Sequence, residues 1–480
     1  MTTKPSSGLA ALEQGLTRDL AYLNFPPADW IPRIAGPDGK RVLDVLVVGG
    51  GTCGMTAAFA LRRLGISNLR IVDTAEKGLE GPWLTFARME TLRSPKHLSG
   101  PALGLPNLTF RAWFEAQFGT EAWQELGRIP RVQWAEYLAW FGRVTGANIE
   151  NQVTLLNVAP TGEFLEAQLH DLRHQCKETV YVRRLVLATG RDALSTPRIP
   201  APLAPHLGAQ VYHTSDAPPQ SVLGGRDVVV VGLAASAFDY AAEALEAGAN
   251  RVTMLGRSTT IPRINKAKQV VYPGFTLGLP EAADQDRYAT FREIVSCGVP
   301  PPRDSVLRVT RNDNFEIRLG SEITDARRRA ERLELTTTSG LLHADVLILG
   351  TGFHVDIAGA PFLTRMAPTI KTWRDAMPDA SQDDELLDFP YLGGGFEFLS
   401  RSGQPDSSLV DHLYCFNHAA MVSLGNLAND IPAVSDGAER LSRAIAQAFF
   451  KEDRAQHRAA LTAYDEPELL GDEIPKLARW

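Results

Sequence analysis

A strand, glycine turn, helix and second strand occur in that order twice in the chain, offset by 183 residues, and this repeat limits the fold more than any other feature. The first copy runs VLDVLVV (42–48), then the turn Gly49-x-Gly51-x-x-Gly54 within GGGTCG, then MTAAFALRRLG, then LRIVD (69–73). The second runs VVVVG (228–232), then the relaxed turn Gly232-x-Ala234-x-x-Ala237 with Ser236 inside it, then a helical stretch to Gly248, then RVTMLGR (251–257). In each copy the Gly that ends the helix, Gly65 or Gly248, follows the first turn Gly by 16 positions. Apolar runs this short, bounded by glycine, fit buried parallel strands and are too short for helices. The expected fold is therefore α/β, with two Rossmann-like dinucleotide-binding domains.

Each turn residue has a physical task. Gly49 makes the tight turn, Gly51 lets a pyrophosphate approach the backbone, and Gly54 lets helix and strand pack closely. The phosphates then lie at a helix N-terminus, where free N–H groups and the macrodipole favour negative charge. Asp73 follows Gly49 by 24 residues and suits both hydroxyls of a ribose. The matching position in the second copy is Gly256, followed by Arg257 and Ser258. With no carboxylate there, Arg257 suits a 2′-phosphate, which favours NADPH over NADH. The alternative is that Arg257 is a solvated surface charge.

Composition removes several function classes. The chain has 480 residues, enough for more than one domain. Lys plus Arg total 49 against 56 Asp plus Glu, a net charge of −7, so no global basic field exists for nucleic acid. The only basic block is Arg327-Arg328-Arg329. The four cysteines (Cys53, Cys176, Cys297, Cys415) are more than a hundred positions apart and form no CxxC, which excludes a dithiol redox centre and a disulfide framework. No signal-peptide pattern is present and no apolar run approaches the roughly 20 residues of a membrane helix. A cytoplasmic protein without membrane contact is expected. There is no GxSxG or HExxH. His170, His174 and Cys176 lie on what reads as a strand pair, so no metal is expected.

Elsewhere, residues 1–8 read as loose, Leu9, Leu12, Leu16 and Leu20 predict an amphipathic helix, and 25–40 reads as a Pro/Gly-rich linker. Aromatic residues at helical spacing over 108–145 predict helices covering the sheet, or alternatively an aromatic substrate wall. Short strands are predicted over 153–190, ending in LATG, and over 333–353, ending in LGTGF. The tail from Ser435 reads as helical, with Ser435 or Asp436 as N-cap.

Together these segments resemble the flavoproteins with two dinucleotide-binding domains, and within them the class B flavin monooxygenases: flavin-containing, N-hydroxylating and Baeyer–Villiger monooxygenases. The resemblance spans about 41–450. It assigns GGGTCG, with Cys53, to the FAD phosphates and Asp73 to the FAD ribose. Gly81-Pro82-Trp83 is similar to a turn near the flavin, and RMETLRSPK (88–96), with Arg88 and Thr91, to a loop passing the isoalloxazine ring. LATGRDALSTPRIP (187–200), with Ala188, Thr189 and Gly190, resembles the exit from the FAD domain. GLAASA (232–237) resembles the NADP loop. Asp345-x-x-x-Leu349-Gly350-Thr351-Gly352-Phe353 resembles a family motif that has Ala where Gly350 stands.

The resemblance implies an N-terminal extension (1–40), a discontinuous FAD domain (41–222 and 346–480, the latter with the C-terminal helices) and an NADP domain (223–345). It implies an NADPH- and FAD-dependent monooxygenase that inserts one oxygen of O2 through a flavin C4a-(hydro)peroxide into a small molecule, most simply at nitrogen or sulfur. Baeyer–Villiger oxidation of a ketone, an NADPH oxidase or reductase, and a non-catalytic FAD-binding protein are the alternatives. GAQVYHTSDAP (208–218) only partly matches the Baeyer–Villiger fingerprint. Candidate catalytic residues are Asn417 and His418, in an apolar run where relatives close the substrate pocket, with His213 near the predicted domain crossing and Lys266 after the NADP strand. For His213 the alternative is a hydrogen-bonded structural role, and for Asn417 and His418 a satisfied core segment. The expected partners are a small-molecule substrate and O2; a homo-oligomer is left open.

Overall fold

The computed structural model describes residues 7–191, 193–208, 210–216, 218–401, 403, 409–428, 430–470 and 473. The stretch expected to be loose lies outside them up to residue 6. From Ser7 a helix runs to Tyr22 and packs Leu9, Leu12, Leu16 and Leu20 on the main core.

The first sheet is built on Leu43–Val48. This strand pairs in parallel with Leu69–Asp73 on one side and Cys176–Leu187 on the other. Ile149–Asn151 and Leu413–Cys415 extend it in parallel, and the hairpin Val153–Thr161/Phe164–Asp171 adds an antiparallel flank. The second sheet is wholly parallel, in the order Phe315–Leu319, Arg251–Gly256, Asp227–Val231, Val346–Leu349, Val211–His213. Two of its strands, at 211–213 and 346–349, fall outside the 223–345 segment expected to hold it. The physical reason is that a parallel sheet recruits strands from distant chain segments, and a run as short as VYH carries no mark of the sheet it joins.

The two modules coincide in register as well as in order. Val45 faces Leu69 and Val228 faces Val252, so both partners shift by the repeat offset. Gly49 N–H donates to Val72 O at 2.8 Å, and Gly232 N–H to Leu255 O at 2.9 Å. On the other edge, Ala188 N–H donates to Val48 O and Gly350 N–H to Val231 O.

The aromatic helices Phe110–Glu125 and Arg131–Val144 are core. Phe110, Trp113, Phe114, Trp123, Trp134, Tyr137 and Phe141 are buried, with Phe110 and Tyr137 ring centroids 5.5 Å apart. The helices expected over 108–145 are seen, but they pack on each other and on other helices, as where Phe141 meets Phe59 of the helix Thr52–Arg63 edge-on at 6.4 Å. The C-terminal helix Val434–Glu452 begins at Ala433 as N-cap, not at Ser435 or Asp436. Ser435 instead donates to Gly100 O at 2.7 Å and accepts from Leu103 N–H, tying this helix to a distant loop. The basic block lies on an antiparallel strand, where Arg327 pairs with Asp325 and Arg329 with Glu334. His174 pairs with Asp171. Among the described residues no cluster could hold a metal, and no helix is long and apolar enough to cross a membrane.

Candidate functional site

The first cradle forms where Leu43–Val48 passes into the helix Thr52–Arg63. Gly49 has φ +105°, and a Cβ there would lie 2.4 Å from Ala188 O, so the turn admits only glycine. A Cβ at Gly54 would lie 1.8 Å from Gly49 O: helix and turn are in backbone contact. Gly51 differs, because a Cβ there meets nothing nearer than Gly81 Cα at 3.8 Å. The open side of Gly51 therefore faces Gly81, which heads the turn Gly81-Pro82-Trp83. Gly50 N–H donates to Asp73 Oδ2 at 2.6 Å and Ala75 N–H to Oδ1 at 2.7 Å, which fixes the carboxylate at the strand end with lone pairs to spare. Thr52 Oγ1 is buried at the first helical position with no hydrogen-bond partner. An orphaned hydroxyl beside free helix N–H groups fits a phosphate, so these residues suit the ADP half of FAD. Cys53 contributes packing: its thiol donates to Ala428 O, and burial pushes its pKa up to about 12.

The second cradle repeats the first with three changes. Gly232 has φ +120°, and a Cβ there would lie 2.3 Å from Gly350 O, as at Gly49. Ala234 caps the helix Ala235–Glu246, and Ser236 is exposed in its first turn. The first change is at the acid's position: a Cβ on Gly256 would lie 2.3 Å from the Leu233 side chain, so leucine occupies the place of Asp73. The second is Arg257, exposed and without a hydrogen-bond or ion-pair partner among the described residues, while Ser258 Oγ is held by its own loop, accepting from Thr260 N–H. The third is a transferred methyl. A Cβ on Gly350 would lie 2.6 Å from Ala237 Cβ, whereas the first module has Gly54 and Ala188 at the matching positions. The departure of Gly350 from the family motif thus has a steric reason. These residues suit NADP, with a cation for its 2′-phosphate.

The candidate catalytic residues fall into distinct places. Asn417 is buried; its amide donates to Leu187 O (3.0 Å) and Thr189 Oγ1 (3.2 Å), and its Oδ1 accepts from Ala419 N–H. It therefore braces the LATG turn, while His418 N–H donates to Gly190 O. Burial, with Arg191 adding, pushes the His418 pKa down to about 3, so its imidazole stays neutral at working pH. His213 is buried, with Nδ1 2.8 Å from Ser215 Oγ and Nε2 3.1 Å from Gly352 O, and its ring packs edge-on against Phe353. Both ring nitrogens are occupied, which makes it a structural joint at the crossing between sheets rather than a free base. Lys266 pairs with Glu293 on the helix Asp284–Ser296, which takes its charge away from the cofactor cradle. Thr351 donates to Arg198 O, and Gly352 O also accepts from Arg198 N–H.

Arg88, expected at the flavin, pairs instead with Glu243 of the second-cradle helix. Thr91 bridges to Pro130, and Trp83 packs edge-on to Trp134 at 6.2 Å. Sequence reasoning missed Glu243, Asp239 and Glu246, which receive Arg88, Arg93 and Arg308. Their spacing on one helix face was readable; their partners were not.

Comparison with known proteins agrees with this geometry. Residues 46–294 match the family model described as pyridine nucleotide-disulphide oxidoreductase. The chain is 33% identical over 466 residues to the FAD-dependent urate hydroxylase of Xanthomonas campestris pv. campestris, covering 96% of this chain and 98% of that protein. The fold is shared with the ornithine hydroxylase of Pseudomonas aeruginosa (TM-score 0.66, 17% identity, 85% of this chain and 99% of that one). It is also shared with the ornithine N-hydroxylase of Kutzneria sp. 744, solved with reduced FAD, NADP+ and L-ornithine (TM-score 0.65, 15% identity, 85% and 99%). With two cradles in register, no CxxC, and a relative aligned along nearly its whole length, the chain belongs to the pyridine nucleotide-disulphide oxidoreductase family, in its flavin monooxygenase branch.

Proposed function

We propose that the protein is an NADPH- and FAD-dependent monooxygenase that places one oxygen of O2 on a small nitrogen-rich molecule of the urate kind. The observation that carries this reading is the asymmetry of two otherwise matched cradles. One keeps Asp73 for a ribose diol; the other fills that place with Leu233 and adds Arg257, unpaired among the described residues. The whole-length relation to a urate hydroxylase supports the choice of substrate class.

When bound, FAD supplies hydride acceptance and oxygen activation. The chain's residues do the rest. Thr52 and the helix N–H groups hold the pyrophosphate, and Asp73 holds the ribose. Arg257 selects the nicotinamide cofactor by its extra phosphate. Asn417 and His213 act as positioning residues: each braces one of the two glycine-threonine turns through its backbone or hydroxyl.

Aerobic incubation with NADPH and urate, with ornithine and lysine as comparison substrates, tests the reading. Substrate-dependent NADPH loss with one oxygen gained by the product supports it. Hydrogen peroxide in full yield with every substrate overturns it. Arg257→Ala is expected to raise the KM for NADPH about tenfold, the value of one charge-assisted contact, and to leave that for NADH nearly unchanged. Equal effects on both cofactors would remove the 2′-phosphate assignment.

A further inference from the structure

We propose that Arg88 is a positioning residue: through Glu243 it ties the loop 82–93 to the helix Ala235–Glu246, and so sets how the two cofactors face each other. The inference rests on the functional reading above. The loop starts at one cradle and ends on the helix that opens the other.

At its start, Gly81 is the nearest neighbour to the open side of Gly51. Along its length the loop is fastened to the first domain: Leu92 N–H donates to Ile129 O at 2.8 Å, and the Arg131 guanidinium donates to Met89 O at 2.9 Å and to Trp83 O. Its outer side meets a stripe on the second-cradle helix formed by Asp239, Tyr240, Glu243 and Glu246, spaced to share one face. Arg88 pairs with Glu243 and stands 5.3 Å from the Tyr240 ring. The Tyr240 hydroxyl lies 3.0 Å from Thr214 O and 3.3 Å from Phe86 O. Arg93 is 3.6 Å from Asp239. Arg308 binds Glu246 at 2.7 Å and also donates to Arg88 O at 3.2 Å. Asp239 and Glu243 are only 2% and 6% exposed.

Stability alone does not call for this arrangement. Buried ion pairs often do no better than apolar side chains of the same volume. What they add is direction: an apolar seam tolerates sliding, whereas the Arg308 guanidinium, donating to both carboxylate oxygens of Glu246, holds one register, and Arg88 meets Glu243 beside it as a buried contact of opposite charges. Glu243 sits about 12 Å along the helix from its first turn, at 1.5 Å per residue, so a rigid helix carries the seam's geometry to the second cradle. With both cofactors bound, the step this seam would serve is transfer of one hydride, two electrons with one proton, from NADPH to flavin, leaving NADP+. Its rate is steep in the separation of donor and acceptor.

The test compares FAD-loaded wild type, Arg88→Met, Arg88→Lys and Glu243→Gln by two readouts. In hydrogen exchange, NADP+ is expected to protect 82–93 as well as 232–238 in the wild type. Arg88→Met and Glu243→Gln are expected to keep protection at 232–238 and lose it at 82–93. In anaerobic mixing with saturating NADPH, both are expected to reduce flavin at least about tenfold more slowly, with NADP+ affinity changed less than about twofold. Arg88→Lys is expected to recover most of the rate. Glu243→Gln keeps the side chain's shape and serves if Arg88→Met fails to fold. Wild-type reduction rates in the variants, or NADP+ protection at 82–93 that survives them, overturns the inference. If NADPH does not reduce the wild-type flavin, the functional reading fails instead, and hydrogen exchange still decides the coupling.

Discussion

Gly51→Val is expected to give a folded, colourless protein, and Gly54→Ala a protein whose first module does not fold. The two glycines stand three residues apart in one motif, yet they answer to different neighbours. Gly51 has φ −71° and ψ −167°, ordinary for any residue, and its Cβ would make only ordinary contact, 3.8 Å from Gly81 Cα. Valine there should cost the apo fold no more than about 0.5 kcal/mol while filling the volume a pyrophosphate needs. At Gly54 the added methyl meets a backbone carbonyl oxygen at 1.8 Å, and neither the turn nor the helix can yield without breaking the strand register. A cost of about 4–5 kcal/mol or more is expected, a large share of a total stability of roughly 5–15 kcal/mol. Flavin absorbance per chain and thermal unfolding separate the two outcomes. Stoichiometric flavin in Gly51→Val would place the cofactor elsewhere.

The second large effect concerns the transferred methyl. Gly350→Ala places a Cβ 2.6 Å from Ala237 Cβ and 3.1 Å from Val231 O, and is expected to cost about 2–3 kcal/mol and to weaken NADP+ binding. Ala237→Gly alone should cost about 1 kcal/mol, the helix penalty of glycine. The double variant recreates the Ala188/Gly54 pairing of the first module. It should be more stable than the sum of its parts by about 1–2 kcal/mol. Urea denaturation of the four proteins checks this, and strict additivity would mean that the two positions do not press on each other.

Much of the first cradle was legible because its constraints are local. A short apolar strand, a glycine with positive φ, a helix and an acid at the next strand end lie within 31 consecutive residues, 43–73. The second cradle was legible through its repeat. Its details were not, because Leu233 covering Gly256 and Ala237 excluding a methyl at 350 are contacts between side chains. The catalytic candidates show the same boundary. His213 and Asn417 drew notice as polar residues in apolar runs, but apart from the nearby Ser215 hydroxyl on His213, what occupies their nitrogens are oxygens of Gly352, Leu187 and Thr189, far along the chain. Arg88 read as a residue beside the flavin and Lys266 as a catalytic candidate, and neither reading held a sign of Glu243 and Glu293, which the fold brings beside them.

By itself, then, the sequence determined the pair of nucleotide modules and their order, since backbone conformation and strand length are set by neighbouring residues. Only the tertiary structure decided which strands complete each sheet, which polar groups are free and which are consumed, and that the loop beside one cradle is bound to the helix of the other. Those outcomes depend on distances between residues tens to hundreds of positions apart, and spacing along a chain does not encode them.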